Sequence, residues 1–223
     1  MVAHKLAIFD FDGTLADSFP WFKLVLNGVA EKFRFKPVEW NTEADLLRGK
    51  SAREILRHLG VSYWKVPLIS RHMRSLMARD IERIHLFDGV DRMLRRLSEN
   101  GFALAIVSSN SETNVRRVLG PAASLIDDYA CGASVFGKVA KIKAVLRRCN
   151  VPAGTAIYIG DEIRDFEAAK DAGLSFGAVG WGYTRPETLA ALSPTLIFRS
   201  VDDVAAELAR ALEHDPEKAC PRA

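Results

Sequence analysis

The chain predicts an α/β fold: a parallel sheet covered by helices, with a block of helices inserted after the first strand. Three observations predict it. Short apolar runs at 6–9, 103–107, 156–159 and 175–179 have the length and composition of strands buried on both faces. Segments with helical spacing separate most of them, so the strands are joined by crossovers and run parallel. Between the first and second runs, 17–86 carries helical spacing and no strand pattern.

The first strand, 6–9, is Leu-Ala-Ile-Phe, and it leads straight into Asp10-Phe11-Asp12-Gly13-Thr14-Leu15. Residues two apart at a strand end point to the same side, so Asp10 and Asp12 start on one face. Gly13 lets the backbone turn away directly behind them. Two carboxylates that close stay ionised together only beside a cation, and a divalent metal answers that need. The arrangement reads as an active site.

After Ser18 the period changes to that of a helix, with Trp21-Phe22, Val25-Leu26, Val29 and Phe33 on one face. Ile55-Leu56-Leu59 marks a second helix. Leu68-Ile69, Met73, Leu76-Met77 and Ile81 mark a third. The aromatic residues of this block, Trp21, Phe22, Trp40 and Trp64, are expected in its core, with a dimer face as the alternative. Phe87-Asp88-Gly89-Val90 opens the helix that carries Met93-Leu94 and Leu97 and stops at Asn100-Gly101. The strand 103–107 is closed by Ser108-Ser109-Asn110. Further strands are expected at 129–135, 156–159, 175–179 and 195–198, and a helix at 142–148. Residues 214–223, with Pro216 and Pro221, read as a frayed tail. The domain organisation expected is therefore a Rossmann-like core of 1–16 and 87–210 with a helical cap of 17–86.

In such sheets ligands bind beyond the carboxyl ends of the strands, where strand order switches. Asp10, Ser108 and Asp161 each follow a separate expected strand, and an insert leaving the first of them arches over that edge as a lid. Hydrophobic residues at 48%, charged residues at 26% and a net charge of +3 fit a soluble globular domain and give no case for nucleic-acid binding. No apolar run approaches the ~20 residues of a membrane helix. Cys131, Cys149 and Cys220 are widely spaced without a CxxC pair, which fits neither a disulfide framework nor a zinc site. Cys131 and Cys149 are expected as small buried hydrophobes. With a core strand starting by Leu6, a signal peptide has no room, and the expected location is cytoplasmic. Monomer and homodimer remain open.

Ser108-Ser109-Asn110 offers a hydroxyl and backbone N–H groups that can hold phosphate oxygens, or else a helix N-cap. Gly160-Asp161-Glu162-Ile163-Arg164-Asp165 follows its strand immediately. Asp161 at the strand end can reach a metal, and Asp165 lies one helical turn on, on the same face. Acids in a first turn are also favoured by the helix dipole, which covers Glu162 and Asp165 equally well. A ligand set of oxygens without His or Cys points to Mg²⁺.

The segment from Asp10 to Ser18 resembles the first signature of the haloacid dehalogenase-like hydrolases, most of which are Mg²⁺-dependent phosphatases. Ser108 resembles the second, Lys138 behind Gly137 the third, and 160–165 the fourth, GDxxxD, continued by 166–173 in the family's style. The likeness covers residues 1 to about 205. The closing Val179-Gly180-Trp181-Gly182-Tyr183 and the helical insert look most like the phosphoglycolate phosphatase and β-phosphoglucomutase branch. The resemblance implies phosphate ester hydrolysis through a phosphoaspartate on Asp10, with Asp12 as acid and then base. It implies a metal held by Asp10, the backbone carbonyl of Asp12 and Asp161. Asp165 is expected on the metal directly, through water, or as the group that fixes Lys138, with Glu162 further out. Lys138, preferred to Lys141 on resemblance, would neutralise the phosphoryl charge. Ser108 and the N–H groups of Phe11, Asp12 and Ser109 would bind phosphoryl oxygens, beside Asn110. Leu47-Arg48-Gly49-Lys50-Ser51 resembles the loop this branch turns to its substrate, so Arg48 or Lys50 is expected to meet an anionic part of it. The partner expected is a small phosphorylated metabolite, phosphoglycolate-like or a sugar phosphate. A phosphomutase, a phosphonate hydrolase with a cap lysine and a non-catalytic binding protein are the rival readings.

Overall fold

A computed structural model describes residues 5–132 and 137–213, with the main chain alone for 211–213. Six strands form one parallel sheet: β1 (Leu6–Phe9), β2 (Ala103–Val107), β3 (Asp128–Ala130), β4 (Ala156–Gly160), β5 (Ser175–Val179) and β6 (Leu196–Phe198). Their spatial order is β3-β2-β1-β4-β5-β6. β1 thus pairs with β2 on one side, Leu6 opposite Ala103, and with β4 on the other, Leu6 opposite Ala156. Chain order reverses direction across β1, so the crevice beyond its carboxyl end is the switch point where such sheets take ligands.

Alternation along the strands divides the core in two. Ala7, Phe9, Leu104, Ile106, Ile157 and Ile159 pack on one face, beneath α5 (Val90–Glu99), α6 (Glu112–Leu119) and α10 (Val201–Glu213). Leu6, Ile8, Ala105, Val107 and Tyr158 pack on the other, beneath α7 (Lys138–Arg148), α8 (Ile163–Ala172) and α9 (Pro186–Ala190). Burying both faces explains why the central strands are apolar throughout instead of alternating with polar residues.

Between β1 and β2 lie α1 (Phe19–Phe33), α2 (Trp40–Arg48), α3 (Ala52–His58) and α4 (Val66–Arg79). They enclose a smaller core of Leu26, Val38, Leu47, Leu59, Val61 and Val66. Pro20 stands in the first turn of α1, where its missing N–H costs nothing, and Ser51 caps α3 by accepting the Glu54 N–H. The block leaves and returns at one point, where Ala16 forms an antiparallel bridge to Leu86.

Several expectations need adjustment. Helix α2 was not expected from the sequence, and α7 begins at Lys138, four residues before the apolar pattern that announced it. The strand expected at 129–135 is Asp128–Ala130; residues 133–136 lie outside the described residues, as do the tail 214–223 and Cys220. Trp21 is buried, whereas Trp64 is 69% exposed and so belongs to no core. Cys131 and Cys149 are half-buried at the edges of the two sheet cores. Among the described residues no helix is long and apolar enough to cross a membrane.

Candidate active site

The chain ends of β1, β2 and β4 deliver Asp10, Ser108 and Asp161 to one place, all buried. One carboxylate oxygen each from Asp10, Asp161 and Asp165 lie within 4.8 Å of one another. Asp12 is not part of that group. Its side chain turns to Asn110, whose Nδ2 donates to Asp12 Oδ2 at 3.2 Å, while Asp12 Oδ1 is buried without a partner. The shared face expected of the two acids thus brings them to one cleft but to different neighbours.

Lys138, at the start of α7, places its ammonium 3.2 Å from Asp10 Oδ2 and also bonds Asp165 Oδ1. Lys141 points elsewhere, donating to the carbonyls of Ser108 and Gly132 at 2.7 Å each. Asp165 spends its second oxygen on the backbone N–H groups of Asp161 and Glu162, at 3.2 and 3.0 Å. Of the three roles expected for Asp165, fixing Lys138 is the one its contacts favour. Glu162 pairs with Arg164, whose Nη2 donates to Glu162 Oε1 at 2.8 Å.

Burial governs the electrostatics. It raises Asp10 to about 7, with Lys138 pulling the other way. Asp12 is raised by burial as well, against the polar groups of Ser18 and Asn110. Asp161 is raised by burial and by the negative charges of Glu162, Asp165 and Asp10, and the Tyr183 N–H offsets part of this. Lys138 loses by burial, but Asp10 and Asp165 outweigh that loss and hold its pKa above the usual lysine value. A pocket in which burial raises Asp10, Asp12 and Asp161, and whose Lys138 is shared by two carboxylates, suits a further cation. The donor set is oxygen alone, which fits Mg²⁺ and not a thiolate- or imidazole-seeking metal.

Asp161 is held from two sides by groups far away in the chain. Thr14 Oγ1 donates to Asp161 Oδ1 at 2.9 Å, and the Tyr183 N–H donates to Oδ2 at 2.7 Å. Trp181 Nε1 donates to the Thr14 carbonyl at 3.1 Å, which ties the two clamps together. The Tyr183 hydroxyl lies 2.9 Å from Ser18 Oγ. Gly13, at φ +80°, and Gly182 let these loops approach so closely that a Cβ on either would overlap Asp161. Sequence reasoning noted Thr14 and 179–183 within motifs but assigned them no contact. The signal for Asp161's partners was the pair of glycines at Gly13 and Gly182.

On β2's side, Ser108 Oγ accepts the Asn110 N–H at 3.0 Å, and the helix cap is Ser111, which accepts the Asn114 N–H at 3.2 Å. Ser108-Ser109-Asn110 is therefore not the cap and stays at the mouth of the site. Phe11 is fully buried, its carbonyl accepting the N–H groups of Leu15 and Ala16. Arg48 donates to the carbonyls of Tyr183 and Gly182 at 3.0 and 3.1 Å, and the Arg185 N–H returns a bond to the Arg48 carbonyl. Its guanidinium is thus engaged with the 182–185 loop. Lys50 lies beside it on the wall of the adjoining cavity.

Residues 7–179 match the family model described as haloacid dehalogenase-like hydrolase. A phosphoglycolate phosphatase of Synechococcus elongatus is 32% identical over 199 residues, covering 88% of this chain and 93% of that protein. The tyrosine-protein kinase PtkA of Mycobacterium tuberculosis is 28% identical over 204 residues, covering 86% of this chain and 68% of that protein. The crystal structure of a predicted phosphatase from Clostridium acetobutylicum superimposes with a TM-score of 0.79 at 20% identity, covering 93% of this chain and 99% of that one. The chain belongs to the haloacid dehalogenase-like hydrolases.

Proposed function

We propose that the protein is a Mg²⁺-dependent phosphatase that hydrolyses a small phosphorylated metabolite through a phosphoaspartate. The observation that carries this reading is the pairing of Asp10 with Lys138 at 3.2 Å beside a second acid, Asp12, which no cation holds. Asp10 is the nucleophile: its carboxylate oxygen forms a bond to phosphorus as the ester oxygen leaves. Asp12, whose hold on a proton burial strengthens, gives that proton to the departing oxygen. It then takes a proton from the water that cleaves the phosphoaspartate, so one group serves as acid and base in turn. Lys138 holds the equatorial phosphoryl charge. Ser108 and the N–H groups of Phe11, Asp12 and Ser109 bind the phosphoryl oxygens.

Asp10, Asp161 and the main-chain carbonyl of Asp12 would hold Mg²⁺, with Asp165 acting through Lys138. Bound there, the ion supplies charge neutralisation that lets the phosphoryl group approach a carboxylate. A catalytic acid two residues after the nucleophile is needed when an alkoxide leaves and superfluous when a halide does, which supports phosphoryl transfer over dehalogenation. Residues 17–86 serve as the cap over the core of 1–16 and 87–210, closing the site against bulk water. The names carried by relatives put phosphoglycolate and sugar phosphates first among substrates to assay.

The test is phosphate release from a panel of phosphorylated metabolites, with Mg²⁺ and with EDTA, alongside Asp10→Asn. Release that needs both the metal and Asp10 is expected. Silence across the panel from folded protein loaded with Mg²⁺ would remove the phosphatase reading.

A further inference from the structure

A cavity of about 350 Å³ runs from Asp12 into the helical block. Asp12, Asn110 and Tyr183 stand at its floor, and its walls include Phe19, Phe22, Trp40, Leu47, Val61 and Val66. Three of those walls, Leu47, Val61 and Val66, belong to the buried core of the block, and the cavity opens toward the site beside Asp12. An open pocket lined largely by aliphatic and aromatic groups favours an occupant that removes that apolar surface from water. An apolar cavity of roughly 150 Å³ is already enough to take up benzene.

Lys50 also lines the cavity, and three further cations along the wall are engaged with the protein itself. Arg48 donates to two backbone carbonyls, Arg164 to Glu162, and Arg74 to the Ser109 carbonyl at 3.4 Å. The aromatic rings are arranged as a mutually packed group, with Phe19 and Tyr183 centroids 4.9 Å apart and Phe22 and Tyr183 5.7 Å apart. At the floor, Asp12 Oδ1 is buried with no partner. Asp12 thus lines this cavity, whereas Ser108, Lys138 and Lys141 line a separate pocket.

We propose that the alcohol released from the phosphate ester is apolar and ring-sized, and occupies this cavity with its oxygen at Asp12. The proposal rests on the phosphatase reading and specifies its substrate class. Phosphoglycolate, whose body is a small carboxylate, would leave most of the apolar part of the cavity unfilled.

The experiment compares benzyl phosphate with 2-phosphoglycolate and glucose 6-phosphate, each with Mg²⁺, for the full chain. All three release a primary alcohol, so differences in kcat/KM report how well the leaving group is bound in the transition state more than its intrinsic reactivity. The expected result is a kcat/KM for benzyl phosphate at least about tenfold above the other two, from burial of one ring. Ala44→Phe, which adds a ring to the cavity wall, is expected to lower kcat/KM for benzyl phosphate about tenfold and to change that for 2-phosphoglycolate by less than about threefold. Asp10-dependent release that favours 2-phosphoglycolate or glucose 6-phosphate over benzyl phosphate would overturn the substrate class and leave the phosphatase standing. No release from any of the three would remove both. The wild-type comparison decides the matter even where Ala44→Phe fails to fold.

Discussion

Lys138 Nζ stands 3.2 Å from Asp10 Oδ2 while it bonds Asp165 Oδ1, so one buried ammonium serves two buried carboxylates. Removing a partner from such a group leaves uncompensated charge in low dielectric, and the cost is on the order of 3–5 kcal/mol. Lys138→Met is therefore expected to lower stability by about that amount at pH 8 in EDTA, measured by urea unfolding. Asp165→Asn releases the ammonium from one side. Its expected effect is a roughly hundredfold fall in kcat with a smaller change in KM, since Lys138 loses its position and not its charge.

Asp10→Asn removes the proposed nucleophile and is expected to abolish turnover. Asp12→Asn keeps the shape of the site and loses the proton donor, so kcat should fall about 10²- to 10⁴-fold while an inhibitor such as inorganic phosphate still binds. Steady-state kinetics and calorimetric phosphate titration check both. Full activity in Asp10→Asn would exclude a covalent route.

The pH dependence of the metal-free protein follows from Asp10. Burial lifts its carboxyl from 3.8 to about 7 in the folded chain. The folded state then binds a proton that the unfolded state has released, so the Asp10 contribution to stability falls as pH rises from about 4 to about 7, and Asp12 and Asp161, raised in the same direction, add to the decline. Melting temperatures in EDTA across this range should decline for the native sequence and decline less for Asp10→Asn. Mg²⁺ should restore the loss above pH 7. A flat profile in EDTA would contradict a buried acid whose pKa is raised.

Gly13→Ala combines a positive φ with overlap on Asp161, and Gly182→Ala overlaps the same side chain from the other side. Each is expected to cost at least about 1–3 kcal/mol. Because both displace a proposed metal ligand, Mg²⁺ affinity should fall along with stability, which titration followed by thermal shift would reveal. Gly60→Ala shares a positive φ but has open space around it, and should alter stability without altering Mg²⁺ affinity.

What the sequence made legible was local. The runs at 6–9 and 175–179 coincide with β1 and β5 because a strand buried on both faces leaves an unbroken apolar signature. Helix α2 left none: Trp-Asn-Thr-Glu-Ala-Asp-Leu-Leu-Arg is mostly polar, and only Leu47 of it is buried. The three-residue β3 was placed one residue late and extended too far, since an edge strand with half-buried residues lacks a sharp boundary. The acids of the site could be read from their motifs, but the contacts that fix them could not. Thr14 reaches Asp161 across 147 residues and Ser18 meets Tyr183 across 165, distances over which no spacing rule operates. Arg48 illustrates the same limit. Its charge suggested an anion, whereas its nearest oxygens are neutral carbonyls brought in by the fold.

That last arrangement sets the terms of traffic through the site. The tether between Arg48 and the 182–185 loop joins the helical block to the very loop whose next member, the Tyr183 N–H, steadies Asp161. Its acceptors carry no net charge, so dissolved ions screen it only weakly. Entry and departure of ligand should then be timed by heat more than by ionic strength, and each parting of the block from the loop would tug on the cradle of the metal itself.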